Sequence, residues 1–187
     1  MKSIAVFCGS SSGASSIYIE SAKQVGQELA KRNITLIYGG ASVGVMGAVA
    51  DSVLAAGGEA VGVIPHFLDQ REIAHTHLTE LIIVDSMHER KAKMVELADG
   101  FLALPGGPGT LEEFFEVFTW AQLGLHKKPC GLLNINHYYD SLHELFTHMI
   151  SEQFMQEKYQ SILNIEEDIN KLLDQFQQYT PPEIKTY

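Results

Sequence analysis

The chain has 187 residues, 45% of them hydrophobic and 19% charged, and 23 acidic against 13 basic side chains give it a formal charge of −10. That length suits one domain with a sizeable core, and the balance excludes a disordered chain. The acidity excludes the basic stripe of a nucleic-acid binder but leaves a small phosphorylated ligand open, because anion binding is decided locally.

Ser3-Ile-Ala-Val-Phe-Cys8 reads as a buried strand of a parallel sheet. The apolar run there is too short for a signal-peptide core and none approaches a membrane span, so no membrane contact is expected. Cys8 and Cys130 are the two cysteines, both in expected strands; a disulfide framework is implausible and a reducing cytoplasm is the expected location. Gly9-Ser-Ser-Ser-Gly-Ala-Ser-Ser16 is a loop rich in hydroxyls and backbone donors. The next helix carries Tyr18, Ala22, Val25 and Leu29 at helical spacing and ends near Asn33.

Thr35–Tyr38 is a second strand running into Gly39-Gly40, and a helix from about Val45 to Ala56 stops at Gly57-Gly58. Glu59–Ile64 is a third strand. Residues 66–79 show no clear period and read as a long loop or short helix, a length that tends to be functional. Leu81–Val84 is the fourth strand, and Ser86-Met-His-Glu89 is a capping box opening a helix to about Ala98. Gly100–Leu104 is the fifth strand, with a helix from Thr110 to Leu123 beyond it. Cys130–Leu133 is the sixth strand, and an amphipathic helix from about Tyr139 to Gln153 follows. Ser161–Leu163 is a candidate edge strand, Ile165–Gln178 a last helix, and residues from about 180 a loose tail. The alternation predicts an α/β fold over residues 1–187, a three-layer α/β/α sandwich with a Rossmann-like, doubly wound parallel sheet.

Between the fifth strand and its helix stands Pro105-Gly-Gly-Pro-Gly-Thr-Leu-Glu-Glu113. Gly106, Gly107 and Gly109 allow positive φ and close approach to a ligand, and the free N–H groups of a helix start form an anion site. Thr110-Leu-Glu-Glu113 also reads as a capping box, which explains Thr110 and Glu113 without chemistry but not the glycines and prolines before them. In a sheet of order 3-2-1-4-5, strands one and four would be neighbours, bringing Gly9-Ser10-Ser11, Ser86–Lys91 and Pro105–Glu113 together with Gly39-Gly40 alongside.

Turning about 100° per residue, Met87, Met94, Val95, Leu97 and Ala98 form the apolar sector of their helix. Arg90 and Lys91 fall inside it. Basic groups on a core-facing stripe are costly unless paired or binding an anion; snorkelling to water is the alternative, and their place in the first turn favours function. Glu113 falls between Val117 and Trp120, away from Glu112, Glu116 and Thr119. There is no Walker-type loop or dinucleotide fingerprint, and His75, His77, His143 and His148 lack metal-like spacing, so no metal is expected.

The paired stretches Met87-His-Glu-Arg-Lys91 and Pro105–Glu113 resemble the Lonely Guy (LOG) proteins, cytokinin riboside 5′-monophosphate phosphoribohydrolases long mislabelled as possible lysine decarboxylases. Gly9-Ser10-Ser11, Gly39-Gly40, Gly44-Val-Met-Gly47 and Arg71-Glu72-Ile73 fall where that family has them, so the likeness covers almost the whole chain. The resemblance implies hydrolysis of the N-glycosidic bond of a purine nucleoside 5′-monophosphate to free base and ribose 5-phosphate, without a cofactor. It implies a catalytic pair of Arg90 and Glu113, and substrate contacts from Glu72, Lys91, Gly107, Pro108, Gly109, Thr110, Leu111, Glu112 and Thr119. It also implies a homodimer with the site near the interface. Departure of a purine builds an oxocarbenium-like centre, which a carboxylate at Glu113 could stabilise or serve by taking a proton from water. A guanidinium does not give up its proton near neutral pH, so Arg90 is expected to orient Glu113, the leaving group or the phosphate. A nucleotide sensor using the same turn and a pyridoxal-phosphate lyase with Lys91 as its Schiff base are the rival readings.

Overall fold

In the computed structural model, which describes residues 1–69 and 74–183, seven strands form one sheet with every neighbouring pair parallel. They are β1 (Ser3–Phe7), β2 (Thr35–Tyr38), β3 (Ala60–Pro65), β4 (Glu80–Val84), β5 (Phe101–Ala103), β6 (Cys130–Leu133) and β7 (Leu163–Glu166). The helices are α1 (Ser16–Lys31), α2 (Gly44–Ala55), α3 (His66–Asp69), α4 (Met87–Leu97), α5 (Pro108–Gln122), α6 (Asp140–Ser151) and α7 (Ile169–Gln178). The expected three-layer sandwich is present: one core joins α1, α2 and α7 to the sheet, and another joins α4, α5 and α6.

The strands lie in the order β4-β3-β2-β1-β5-β6-β7. The expected neighbour of β1 was the fourth strand; it is the fifth, and β4 takes the edge beyond β3. The winding therefore reverses between β1 and β5, where Val6 is level with Leu102 on one side and Tyr38 on the other. Because α4 returns from the edge strand to the central one, it crosses beneath β3, β2 and β1. That crossing carries Arg90 back to the middle of the sheet.

Local signals explain most ends. Ser86 caps α4 by accepting from the Glu89 amide at 3.2 Å, and Glu89 Oε2 reaches back to the Asp85 amide at 3.0 Å, one residue before the expected partner. The last helix starts four residues late, at Ile169. Ile165 and Glu166 pair with β6, and Asp168 caps the helix by accepting from the Asn170 and Lys171 amides. His75, in the loop after α3, is fixed by structure: its Nδ1 accepts from the His77 amide at 3.1 Å, leaving Nε2 to donate to Asp51 at 2.9 Å. Cys130 is buried at the start of β6, and both cysteines are free thiols. Among the described residues, no helix is long and apolar enough to cross a membrane.

Candidate active site

Helix α5 begins two residues earlier than its sequence suggests. Gly107 is the N-cap and Pro108 the first helical residue, where a missing N–H has no consequence. Thr110 is therefore inside the first turn, its own amide bonded to the Gly107 carbonyl at 3.1 Å, and the Thr110–Glu113 capping box does not form. Thr110 is buried, and its side chain folds over Gly106 so closely that a β-carbon there would collide with its Oγ1. None of Gly106, Gly107 and Gly109 takes a positive φ. Gly106 is needed for close packing against Thr110 and Gly9. Around Gly107 and Gly109 the space is open, since a β-carbon at either would meet nothing within 4 Å. Their amides precede the first full intrahelical bonds and carry the positive end of the helix dipole.

This turn walls a cavity of about 310 Å³ at the switch point, lined by Gly9, Ser10, Ser11, Gly13, Tyr18, Val45, Pro105, Gly106, Gly107 and Tyr138. Gly9, two residues beyond β1, meets the turn that follows β5, its amide donating to Pro105 O at 3.3 Å.

Next to the cavity lies an ion pair that the core almost encloses. Arg90 and Glu113 are each 6% exposed, with Arg90 Nη2 at 3.7 Å from Glu113 Oε1. The Arg90 guanidinium has few other partners: Nη1 faces the Met87 sulfur at 3.7 Å, and Nε has no hydrogen-bond partner among the described residues. Gly39 makes room for it, because a β-carbon at 39 would fall on Nη2. Burial raises the Glu113 carboxyl above its usual range; Arg90 opposes this and Glu112 reinforces it. The neighbouring Cys8 thiol is driven far up by burial, with Glu113 adding and Arg90 opposing. Cys8 directly precedes Gly9, so the pair borders the cavity wall although it does not line the cavity itself.

Lys91, 8% exposed, has a different role. Its Nζ bonds Glu112 Oε1 at 2.5 Å and Glu116 Oε2 at 3.1 Å, tying α4 to α5. Burial alone would lower this ammonium, but the two carboxylates outweigh it and hold it above the usual lysine range. Leu111 packs against the core. Gly40, with φ of +78°, packs between Ile64 and Leu81 rather than toward the cavity. Thr119 is exposed, about 9 Å along the axis from Glu113 and on another face of α5, so it does not join this site within one chain. Glu72 lies outside the described residues. Tyr138, Tyr18 and Gly13 are cavity residues that the sequence reading missed. Nothing in the periodicity of residues 134–139 marks Tyr138, whose direction is set by left-handed φ values at Asn136 and His137.

The family model described as "Possible lysine decarboxylase" matches residues 46–176. The cytokinin riboside 5′-monophosphate phosphoribohydrolase LOG7 of Arabidopsis thaliana is 48% identical over 180 residues, covering 96% of this chain and 83% of that one. The enzyme of the same descriptive name from Rhodococcoides fascians is 52% identical over 155 residues, covering 82% and 78%. Among solved structures, the Moco carrier protein of Chlamydomonas reinhardtii superposes with a TM-score of 0.72 at 19% identity, covering 95% and 96%. The molybdenum cofactor binding protein of Rippkaea orientalis also gives 0.72, at 22% identity, covering 94% and 95%. At such identities these two establish a shared fold.

Proposed function

The chain belongs to the LOG family of cytokinin riboside 5′-monophosphate phosphoribohydrolases, and from that premise we propose that it hydrolyses the N-glycosidic bond of a purine nucleoside 5′-monophosphate, releasing the base and ribose 5-phosphate. The observation that carries the reading is the enclosed Arg90–Glu113 pair beside the glycine turn that starts α5.

In this reading the amides of Gly107 and Gly109 take the 5′-phosphate and so anchor the nucleotide with its sugar beside Glu113. The C1′–N9 bond breaks with its electron pair leaving on the base, and the oxygen of a water bonds C1′ while one proton of that water passes to Glu113. That proton is then returned to the base nitrogen, so that neutral base and ribose 5-phosphate leave and the carboxylate is restored. The Glu113 carboxylate also faces the positive charge that builds on the ribose, in surroundings that screen it poorly. The Nε–H of Arg90, which has no hydrogen-bond partner among the described residues, stabilises the departing base by a charge-assisted hydrogen bond.

Lys91 argues against the lyase reading. A Schiff-base lysine must be available as a neutral amine, whereas two carboxylates hold Lys91 charged and occupied. Two buried, free thiols agree with a reducing, cytoplasmic location.

The test is incubation of the pure protein with AMP and with its N6-isopentenyl derivative, following free base by chromatography. Release of base from at least one is expected, and the ratio of rates identifies the preferred base. No release from either would leave only a nucleotide sensor.

A homodimer is the second part of the proposal. Leu123 and Leu125 stand exposed just beyond α5, Leu145 is exposed on α6, and Phe154 is 89% exposed just after it. The two helices meet through the stacked rings of Phe115 and Phe146, and Thr119, one turn beyond Phe115 on α5, is exposed. Sedimentation equilibrium is expected to give twice the mass of one chain, and Leu125→Glu to shift it toward one; a monomeric native protein overturns the assignment.

A further inference from the structure

Three consecutive carbonyls of the β5–α5 turn are each held by a separate donor. Leu104 O accepts from the Tyr139 hydroxyl at 2.6 Å, Pro105 O from the Gly9 amide at 3.3 Å, and Gly106 O from the Tyr138 hydroxyl at 2.7 Å. In a planar trans peptide the oxygen and the next residue's N–H point in opposite directions, so fixing one aims the other. The Gly106 carbonyl shares its peptide with the Gly107 amide. That peptide lies between two residues without side chains, whose backbone has the widest choice of directions. Among the described residues, the hydrogen bond that holds its carbonyl comes from the Tyr138 hydroxyl.

Tyr138 is itself held in place. Its ring meets Tyr18 edge-on at 6.0 Å and Tyr139 at 5.1 Å. The chain reaches it through Asn136 and His137, both left-handed with φ of 52° and 58°. Non-glycine residues rarely adopt that conformation, and it persists where surrounding contacts hold it. Here the Asn134 side chain supplies them, accepting from the Tyr139 amide and donating to Asp140, both at 2.7 Å.

We propose that Tyr138 is a positioning residue for the 5′-phosphate: its hydroxyl holds the Gly106–Gly107 peptide so that the Gly107 amide faces the anion. This rests on the reading of the α5 turn as the phosphate site. Tyr139, its neighbour in sequence, provides the contrast. The carbonyl it holds belongs to the Leu104–Pro105 peptide, whose nitrogen carries no hydrogen to aim.

The test compares Tyr138→Phe with Tyr139→Phe, each losing one hydroxyl and keeping its ring. For Tyr138→Phe, KM for the nucleoside 5′-monophosphate is expected to rise about tenfold with kcat within about twofold, the pattern of lost uniform binding. Its affinity for ribose 5-phosphate, titrated calorimetrically, falls by the same factor, while inhibition by free adenine changes less than about twofold. Tyr139→Phe lowers the melting temperature through an unsatisfied buried carbonyl and leaves the ribose 5-phosphate affinity within about twofold. Native ribose 5-phosphate affinity in Tyr138→Phe overturns the proposal, and so does an equal loss in both variants or an equal loss of adenine binding. If the native protein neither releases base nor binds ribose 5-phosphate, the reading of the turn itself fails, a result distinct from each of these.

Discussion

Glu113→Gln is expected to lower kcat for base release on the order of 10³-fold, the range for losing a general base that also faces the transition-state charge. Gln keeps the volume and still offers an oxygen to Arg90, so the fold stands and the loss is chemical. The same variant has an expected signature in stability. Because burial raises the Glu113 carboxyl, the folded chain holds that proton more tightly than the unfolded chain does. The group's contribution is therefore fully present below the ordinary carboxylate range and is lost as pH rises through the raised value. Gln cannot ionise, so the variant escapes that loss. Its melting temperature should exceed the native one at pH 7 to 8, and the gap should close below about pH 4. Near-native turnover would remove Glu113 from the mechanism; a gap that widened on acidification would show that the carboxyl is not raised.

Gly39→Ala is expected to lose about 10²-fold or more in kcat/KM with little loss of stability. The backbone at Gly39 does not require glycine, since its φ is not positive. What the residue supplies is the place of the Arg90 guanidinium, which an added β-carbon would occupy. A guanidinium ends a flexible chain and can be displaced cheaply, so the penalty falls on the site. The other near group, Met46 Cε at 3.4 Å, is at an ordinary contact distance. If this account holds, Gly39→Ala combined with Arg90→Ala is no worse than Arg90→Ala alone, because both remove one interaction. Additive losses would mean that Gly39 acts on something other than Arg90.

The sequence made much of this site legible because its residues break local rules. Arg90 and Lys91 stood out as charges on an apolar stripe, and both are buried. Glu113 stood on a side of its helix away from the other carboxylates and is also buried. Strand alternation showed the sandwich but not the neighbours of each strand, since parallel pairing leaves no mark in local periodicity; hence β4, not β5, was expected beside β1. The start of α5 was read from Thr110 and Glu113, while Pro108, an ordinary first residue of a helix, was the better signal. The two fates of adjacent basic residues, Lys91 clasped by Glu112 and Glu116 and Arg90 left with its Nε–H unpartnered among the described residues, depend on how α4 crosses the sheet toward α5. Tyr138 could not be found by pattern, because its use depends on a backbone turn made by two non-glycine residues.

The two cysteines can report on the breathing of this protein. Cys8 sits against the Arg90–Glu113 pair at the end of β1, and Cys130 opens β6, away from the crevice. Both thiols are buried and driven far up by burial, so neither reacts with an alkylating reagent until its surroundings open. Labelling of Cys130 then times the opening of the sheet interior, and labelling of Cys8 ahead of it times openings confined to the crevice. The native chain thus carries a clock for each event, with no probe introduced.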